Sequence, residues 1–593
     1  MKKLANICMV FLLVLVMASC SKSKDFLNKD SLTEFSSSSE WGDPALTATF
    51  INGIYNEIPA GLAMNAGNVD ESRSRDADGL NFNNMIITQD DGEYGNWSGA
   101  YRAIRHCNVA IENISKSSFG TTLIDGVTLK DRMIGEVHFL RAYIYFRLTN
   151  YYGGVPIIKN VYGLNDSFKI AQNSYADCIK FVVSDLDSAA NLLPIVESGD
   201  NDGRATKGAA LALKSRVLLY AASDLHNPQK NNSVTNGFPH PELLGYTDGD
   251  PIARWQAAKD AAKAVIDMGI YSLYKPNPAS ANEATQNYGD LFTSTKSVED
   301  IFVKYSSAST GGGISGWGTA PNGWYGNGGV GAINDLVDAY DMADGSKFSR
   351  SIPAEAAQPY INRDPRLYAT VLFEGNKYRQ RPADLIVYDP AGVGQFGTWQ
   401  KWDNSTNQMY LVYGLDTRNS IANSWNGNEC AATMLKFLNK SVDIQKSNQD
   451  LTLRWIRYGE VLLNYAEACI ELGQDGEART YINMIRQRAF MPDVTSSGAT
   501  LLDDYRNERR IEMVYEDQRF FDVRRWMIGP DAYHDVHGVQ IVYNLNPDHT
   551  TATIPTVTPI VIRPGKWDNK AYFLPITRSE LNKNDKLIEL PGY

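Results

Sequence analysis

Residues 131–156 read DRMIGEVHFLRAYIYFRLTNYYGGVP. Apolar side chains at Ile134, Val137, Leu140, Ile144, Leu148 and Tyr151 step by three or four, the spacing of one face of a helix. Gly153-Gly154-Val155-Pro156 ends the pattern, since glycine lacks helix propensity and proline disfavours a helical residue before it. A helix over about 131–152 is therefore predicted. Working outward, the same periodicity recurs over roughly 99–115, 174–192, 206–223, 252–268, 452–472, 475–489 and 503–527, with several members joined by short loops. Ala209, Ala210 and Ala212, with Ala257, Ala258, Ala261 and Ala262, give two helices small faces that let their backbones approach closely. The expectation is a mainly α fold, a tetratricopeptide-like scaffold of helical pairs, although no clean repeat period survives. Between about 270 and 450 the character changes to Gly, Asn, Pro and aromatics with short β-prone pieces, so long loop-rich insertions are expected there.

The chain opens with Met-Lys-Lys, an apolar run from Ile7 to Met17, and Ala18-Ser19-Cys20. That is the layout of a signal peptide over residues 1–19, too short to cross a bilayer core that needs about 20 helical residues. Small residues directly before a cysteine resemble the bacterial lipobox, in which Cys20 becomes the acylated N-terminus; Met17 departs from the usual leucine. Residues 20–40, rich in Ser and Lys, then read as a tether, and 41–593 as one domain. The net charge of −11 comes without any basic run, which argues against a nucleic-acid partner. Of six cysteines, Cys107, Cys178, Cys430 and Cys469 lie scattered beyond the leader, with no spacing for zinc or redox work, and read as buried small hydrophobes with disulfides left open.

Several further segments then fall in order. They are Trp97-Ser-Gly-Ala-Tyr101 with Asn108; Gly135-Glu136 through Arg141-Ala142-Tyr143 with Tyr152-Gly153-Gly154-Val155-Pro156; Leu336-Val-Asp-Ala-Tyr340 to Asp344-Gly345; and Arg363-Asp364-Pro365-Arg366-Leu367. After them come Tyr458-Gly-Glu460 to Tyr465-Ala466-Glu467-Ala468, Asn483 to Arg488, Glu508-Arg509-Arg510 to Arg519, Asp522 and Arg525-Trp526, Leu574-Pro575-Ile576 and the terminal Pro591-Gly592-Tyr593. As an ordered series running the length of the chain, they resemble the SusD/RagB family of nutrient-binding lipoproteins. The resemblance implies a non-catalytic SusD-like fold on the outer membrane, anchored through Cys20. It also implies an oligosaccharide ligand, or a peptide in some members, and a SusC-like TonB-dependent transporter as partner. A secreted hydrolase is the reading from a different class.

Glu508, Glu512, Glu516, Arg519, Asp522 and Arg525, taken as one helix, read as ion-pair ladders rather than catalytic carboxylates. Arg141, Glu136 and Glu467 likewise read as links between helices. Asp76-Ala-Asp78-Gly79 and Asp200-Asn-Asp202-Gly203 fail the EF-hand pattern at its first and last ligands, so both read as solvated turns. No cofactor is expected, and a structural Ca²⁺ assembled from several loops stays open. Seven scattered histidines offer no H-E-x-x-H spacing, so no transition-metal site is expected either. For ligand contact the leading segment is 311–329, carrying Trp317, Asn322, Trp324, Tyr325 and Asn327 among glycines. Sugars present an apolar C–H face and a hydroxyl rim, so flat aromatics beside amides suit them. A second stretch offers Asp70, Arg73, Arg75, Asp76, Asn83 and Asn84, leading to Asn96 and Trp97, and Trp399, Trp402 and Trp425 rank third. For all these aromatics the bland alternative is contact with the transporter.

Overall fold

The computed structural model describes residues 41–59, 63–73, 80–92, 94–124, 126–163, 166–310, 312–328, 330–424, 426–443 and 448–593. Cys20 and its tether, Arg75, Asp76 and Trp425 lie outside the described residues.

The helical scaffold comprises α1 (Pro44–Glu57), α2 (Trp97–Ile114), α3 (Leu129–Tyr152), α4 (Tyr175–Leu192), α5 (Lys207–Ala222) and α6 (Pro251–Ile266). After the insertion described below come α9 (Tyr458–Glu471), α10 (Asp475–Arg488), α11 (Gly498–Glu512) and α12 (Arg519–Arg525). Polar caps fix the starts: the side chains of Thr128, Ser174 and Thr206 accept from the backbone N–H three residues on. Gly153 ends α3 at φ +65°, and a Cβ there would meet the Leu243 carbonyl at 2.2 Å, so only glycine fits. Helix α3 is buried on nearly every side, including Glu136 and Arg141, because α2 and α4 flank it. Arg141 forks onto Asp185 of α4 at 2.7 and 2.8 Å and reaches Asn108 of α2 at 2.7 Å. Glu136 takes Arg204 at 2.7 Å, and Glu467 of α9 takes Arg525 of α12 at 2.6 and 2.7 Å. All three residues are thus links between elements. The alanine faces of α5 and α6 pack on each other, as their small side chains allow.

Two expectations are corrected. Residues 452–472 are not one helix: Leu451–Arg457 is a strand (β8) paired antiparallel with Asp300–Ser306 (β2), and α9 begins only at Tyr458. The run Leu-Thr-Leu-Arg-Trp-Ile-Arg alternates at the strand period and finds a partner far upstream. Residues 503–527 are likewise two helices, because Tyr515 (φ +62°) and Asp517 (φ +60°) turn the chain through left-handed conformations between α11 and α12. The ladder read along one helix is therefore a three-dimensional network. Arg366 pairs with Asp364, Glu508 and Glu512; Arg488 with Glu299 and Glu512; Arg457 with Glu299, Glu512 and Glu516; and Lys436 with Glu516. Arg366 and Lys436 come from the insertion and the glutamates at 508–516 from α11 and the turn after it, so this network rivets the two regions together.

The insertion is less loop-dominated than its composition predicts. It holds α7 (Ala281–Thr293), β2, β3 (Gly331–Ala332), α8 (Asn334–Asp338), β4 (Val371–Leu372), β5 (Thr398–Asp403), β6 (Gln408–Tyr413) and β7 (Thr433–Met434). One small sheet has the order β1-β3-β7-β4, with β1 being Ser72–Arg73 from the N-terminal part. A larger sheet has the order β10-β9-β5-β6, where β9 (Val536–Tyr543) and β10 (Thr556–Arg563) come from the C-terminal part. A second apolar core forms beneath them from residues such as Trp324, Leu336, Tyr340, Leu372 and Met434.

Candidate functional site

The upstream stretch pairs with the chain just beyond the Gly-rich loop. Strand β1 pairs with β3 in the register Ser72↔Ala332 and Arg73↔Gly331, so Arg73 stands beside the end of the 312–331 segment. From there a continuous polar rim forms. Arg73 pairs with Glu429 at 2.8 Å and also donates to the Ile562 carbonyl; Glu429 takes Arg418 at 3.1 Å. Asn428 donates to the Gly328 carbonyl at 3.2 Å, and the Gly427 N–H reaches the Asn327 carbonyl. Arg73, Glu429 and Arg418 are all partly exposed, the state of groups that can exchange water for hydroxyls of a ligand.

Not every predicted contact reaches this rim. Trp324, expected as an exposed platform, is 3% exposed: its ring packs edge-on against Tyr378 at 5.0 Å, Arg381 lies 3.5 Å over it, and its indole N–H donates to the Gln380 carbonyl at 3.2 Å. Arg381 is itself held by Asp389 and Asp416, so this tryptophan is a core residue of the insertion. Asn322 is buried too, its amide donating to the carbonyls of Thr417, Asn423 and Asn426, which ties the two loops into one unit. Tyr325, at φ +59° and half-buried, donates its hydroxyl to Asp384. The Trp317 backbone sits in a short helical turn, Gly316–Thr319, immediately before this unit.

Asp70, also expected at a ligand, is buried and forked by Arg519 at 2.8 Å, with Arg510 at 3.0 Å. Burial alone would raise its carboxyl, but the two guanidiniums outweigh that and hold it well below the ordinary range. Next to it, burial and then the charge of Asp70 push Glu71 up to about 8. Asn83 is buried and donates to the Gly67 carbonyl at 2.9 Å. Asn96 is exposed in the left-handed conformation that starts α2. Trp97 is 4% exposed, packed at a tilt against Tyr101 and edge-on against Tyr152, and forms the floor of a separate cleft of about 370 Å³ walled by Arg105, Tyr162, Phe168 and α13 (Arg578–Lys583). Of the two calcium candidates, Asp202 pairs with Lys296 in a turn, whereas 76–79 lies outside the described residues. The four cysteines beyond the leader are free and buried.

One aromatic surface was not singled out by the sequence. A cleft of about 390 Å³ opens between residues 357–376 and 543–557. Tyr360 lies stacked on Phe373 at 4.3 Å, and Tyr543 is stacked on Trp399 of β5 at 4.7 Å with rings only 4° apart. Glu374 accepts from the Tyr543 hydroxyl at 2.8 Å and from two backbone N–H groups, and burial still pushes it up to about 7. Trp402 is stacked on His549 farther along the same strand. Its size suits one or two sugar rings, since ligand pockets start at roughly 300 Å³. Tyr360, Phe373 and Tyr543 stand too far apart in the chain for any local spacing to reveal them.

Comparison with known proteins agrees with this architecture. The family model described as the SusD family matches residues 282–593, and one described as "Starch-binding associating with outer membrane" matches residues 25–219. A SusD-like protein of Bacteroides ovatus is 24% identical over 453 residues, covering 74% of this chain and 67% of its own length. The crystal structure of a SusD-like protein from Bacteroides fragilis superposes with a TM-score of 0.71 at 28% identity, covering 95% of this chain and all of the other. A second structure from that species, called a SusD-like carbohydrate binding protein, gives 0.69 at 23% identity over 92% of this chain and 99% of its own. With more than half of its length matched by the family model and the fold matched almost end to end, the chain belongs to the SusD family.

Proposed function

We propose that the protein is a non-catalytic receptor of the outer membrane, lipid-anchored through Cys20, that captures an oligosaccharide and delivers it to a SusC-like TonB-dependent transporter. Membership of the SusD family supports this reading, as do the "Starch-binding associating with outer membrane" model and the carbohydrate-binding description of one structural relative. The observation that carries the placement of the site is the β1–β3 register, which brings Arg73 against the segment that follows Trp317 and Tyr325. Arg73, Glu429 and Arg418 offer planar hydrogen-bonding groups to hydroxyls, and Trp317 is the aromatic the sequence assigns to stacking. The non-catalytic reading rests on the carboxylates of 508–516, each matched to an arginine or lysine inside the fold. A second placement is favoured by the aromatic cleft at Tyr360 and Tyr543.

Affinity electrophoresis of the protein on a panel of polysaccharides, with product analysis of the same samples, tests both. Retardation on one glycan class without released products is expected. Arg73→Ala combined with Trp317→Ala should then weaken binding at least tenfold, about 1.4 kcal/mol, at unchanged melting temperature. If Tyr360→Ala weakens it instead, the site is the aromatic cleft. Absence of retardation on every glycan points to peptide cargo, and released products overturn the receptor reading.

A further inference from the structure

Asp335, His534 and His537 come from two elements separated by about 200 residues of chain, yet each presents a ligand-type atom, and these atoms all lie within 4.8 Å of one another. Among the described residues no other trio of histidine, cysteine or carboxylate does this. Asp335 stands in the first turn of α8, three residues beyond β3; the two histidines flank the start of β9. We propose that Asp335, His534 and His537 hold a divalent transition-metal ion of the zinc class.

The groups behind these side chains are arranged as those behind metal ligands are. The Asp335 carboxylate is oriented from one side by the His537 backbone N–H, which donates to Oδ2 at 2.7 Å. Its other oxygen, Oδ1, faces both rings, 2.8 Å from His537 Nδ1 and 4.0 Å from His534 Nδ1. His534 Nδ1 also lies 2.6 Å from the Asp535 carbonyl, so ligation through that nitrogen requires the ring to turn away from this carbonyl. The Asp535 side chain in turn accepts from the Gly565 N–H at 2.7 Å and braces the turn.

The donor set selects the ion. Calcium takes six to eight oxygens, and magnesium demands an oxygen octahedron, so two imidazoles and one carboxylate suit neither. Imidazole with carboxylate suits zinc and its neighbours, and three protein ligands leave a position for water or an incoming group. With metal–ligand distances of about 2.0–2.2 Å, donors must lie within roughly 4 Å of each other. Rotation of His534, whose side chain is 43% exposed, supplies the remaining closure. The open side faces a recess lined by Asp338, Asp341 and Asp503 together with Lys347 and Arg510. A bound ion would clamp the start of β9 to the segment directly after β3, the strand paired with the one that carries Arg73.

Isothermal titration of the untagged protein with zinc chloride, repeated with cobalt(II) and read by visible absorption, tests this. One equivalent of zinc should bind, cobalt should give the d–d bands of nitrogen and oxygen ligation, and the melting temperature should rise with free zinc. His534→Ala and His537→Ala should each weaken zinc binding at least tenfold and remove the thermal shift. Because His534 is exposed, His534→Ala keeps the metal-free melting temperature and serves alone if His537→Ala does not fold. Zinc isotherms indistinguishable between the wild type and His534→Ala would mean that the Asp335–His537 contact is an ordinary ion pair, and would overturn the proposal.

Discussion

Two clusters of arginines and carboxylates can be set side by side. Around Glu512, the side chains of Arg366, Arg457, Arg488, Glu299 and Glu508 are each no more than 3% exposed, and every charge meets an opposite one. At the rim, Arg73, Glu429 and Arg418 use the same chemistry at 22%, 42% and 47% exposure. The buried set has exchanged all of its water for protein partners, so removing one member strands the rest in a medium that cannot solvate them. The exposed set has kept part of its water, which leaves it groups to offer an incoming molecule and makes it worth little to stability. Residue type alone therefore does not separate rivet from contact surface; burial does.

The comparison can be broken at several points. Glu512→Ala should have the largest effect, destabilising the fold by about 3–5 kcal/mol in urea unfolding, because Arg366, Arg457 and Arg488 then lose a shared counter-charge. A loss under about 1 kcal/mol would show that the network is not a rivet. Trp324→Ala should cost about 3 kcal/mol of stability through the cavity left between Tyr378 and Arg381. A ligand platform would instead lose binding at constant stability.

Glu71 sharpens the same contrast through pH. Its folded-state value of about 8 lies above the value of 4.5 for the free side chain, so the folded protein holds the extra proton between those limits. Stability should therefore fall as pH rises from about 5 to 8, by an amount on the order of 2–4 kcal/mol. Glu71→Gln should match the wild type near pH 5 and exceed it at pH 9; parallel pH profiles for the two proteins would reject the assignment. The smallest effect belongs to the exposed pair Arg578–Asp90, where Asp90→Asn should leave the melting temperature unchanged.

Much of the scaffold could be read from sequence because its signals are local. Thr128, Ser174 and Thr206 cap helices where their periodicity starts, and Gly153 ends α3 where the pattern stops. The two misread segments failed for an equally definite reason. Leu451–Arg457 carries enough apolar residues for either period, and only pairing with Asp300–Ser306 selects the strand. The turn at 513–518 depends on left-handed residues, Tyr515 and Asp517, that carry no glycine signal. At the site, Arg73 of the upstream stretch pairs with the chain just beyond the Gly-rich loop, but composition could not tell which aromatics of these stretches are buried. Trp324 reads like a loop residue and is packed like a core residue. His534 and His537 read as two of seven scattered histidines, and Asp335, about 200 residues upstream, gave no sign of lying beside them.

The sequence by itself determined the family, the helical pairs and the stretches that carry contact chemistry, because each depends on neighbours within a few turns of chain. Only the tertiary structure decided which charges are rivets and which are rim, which tryptophans are core, and which histidines find a carboxylate. Those outcomes depend on burial and on pairings across hundreds of residues, as Arg366 with Glu512, Arg73 with Gly331 and Asp335 with His537 illustrate. No local pattern encodes such distances.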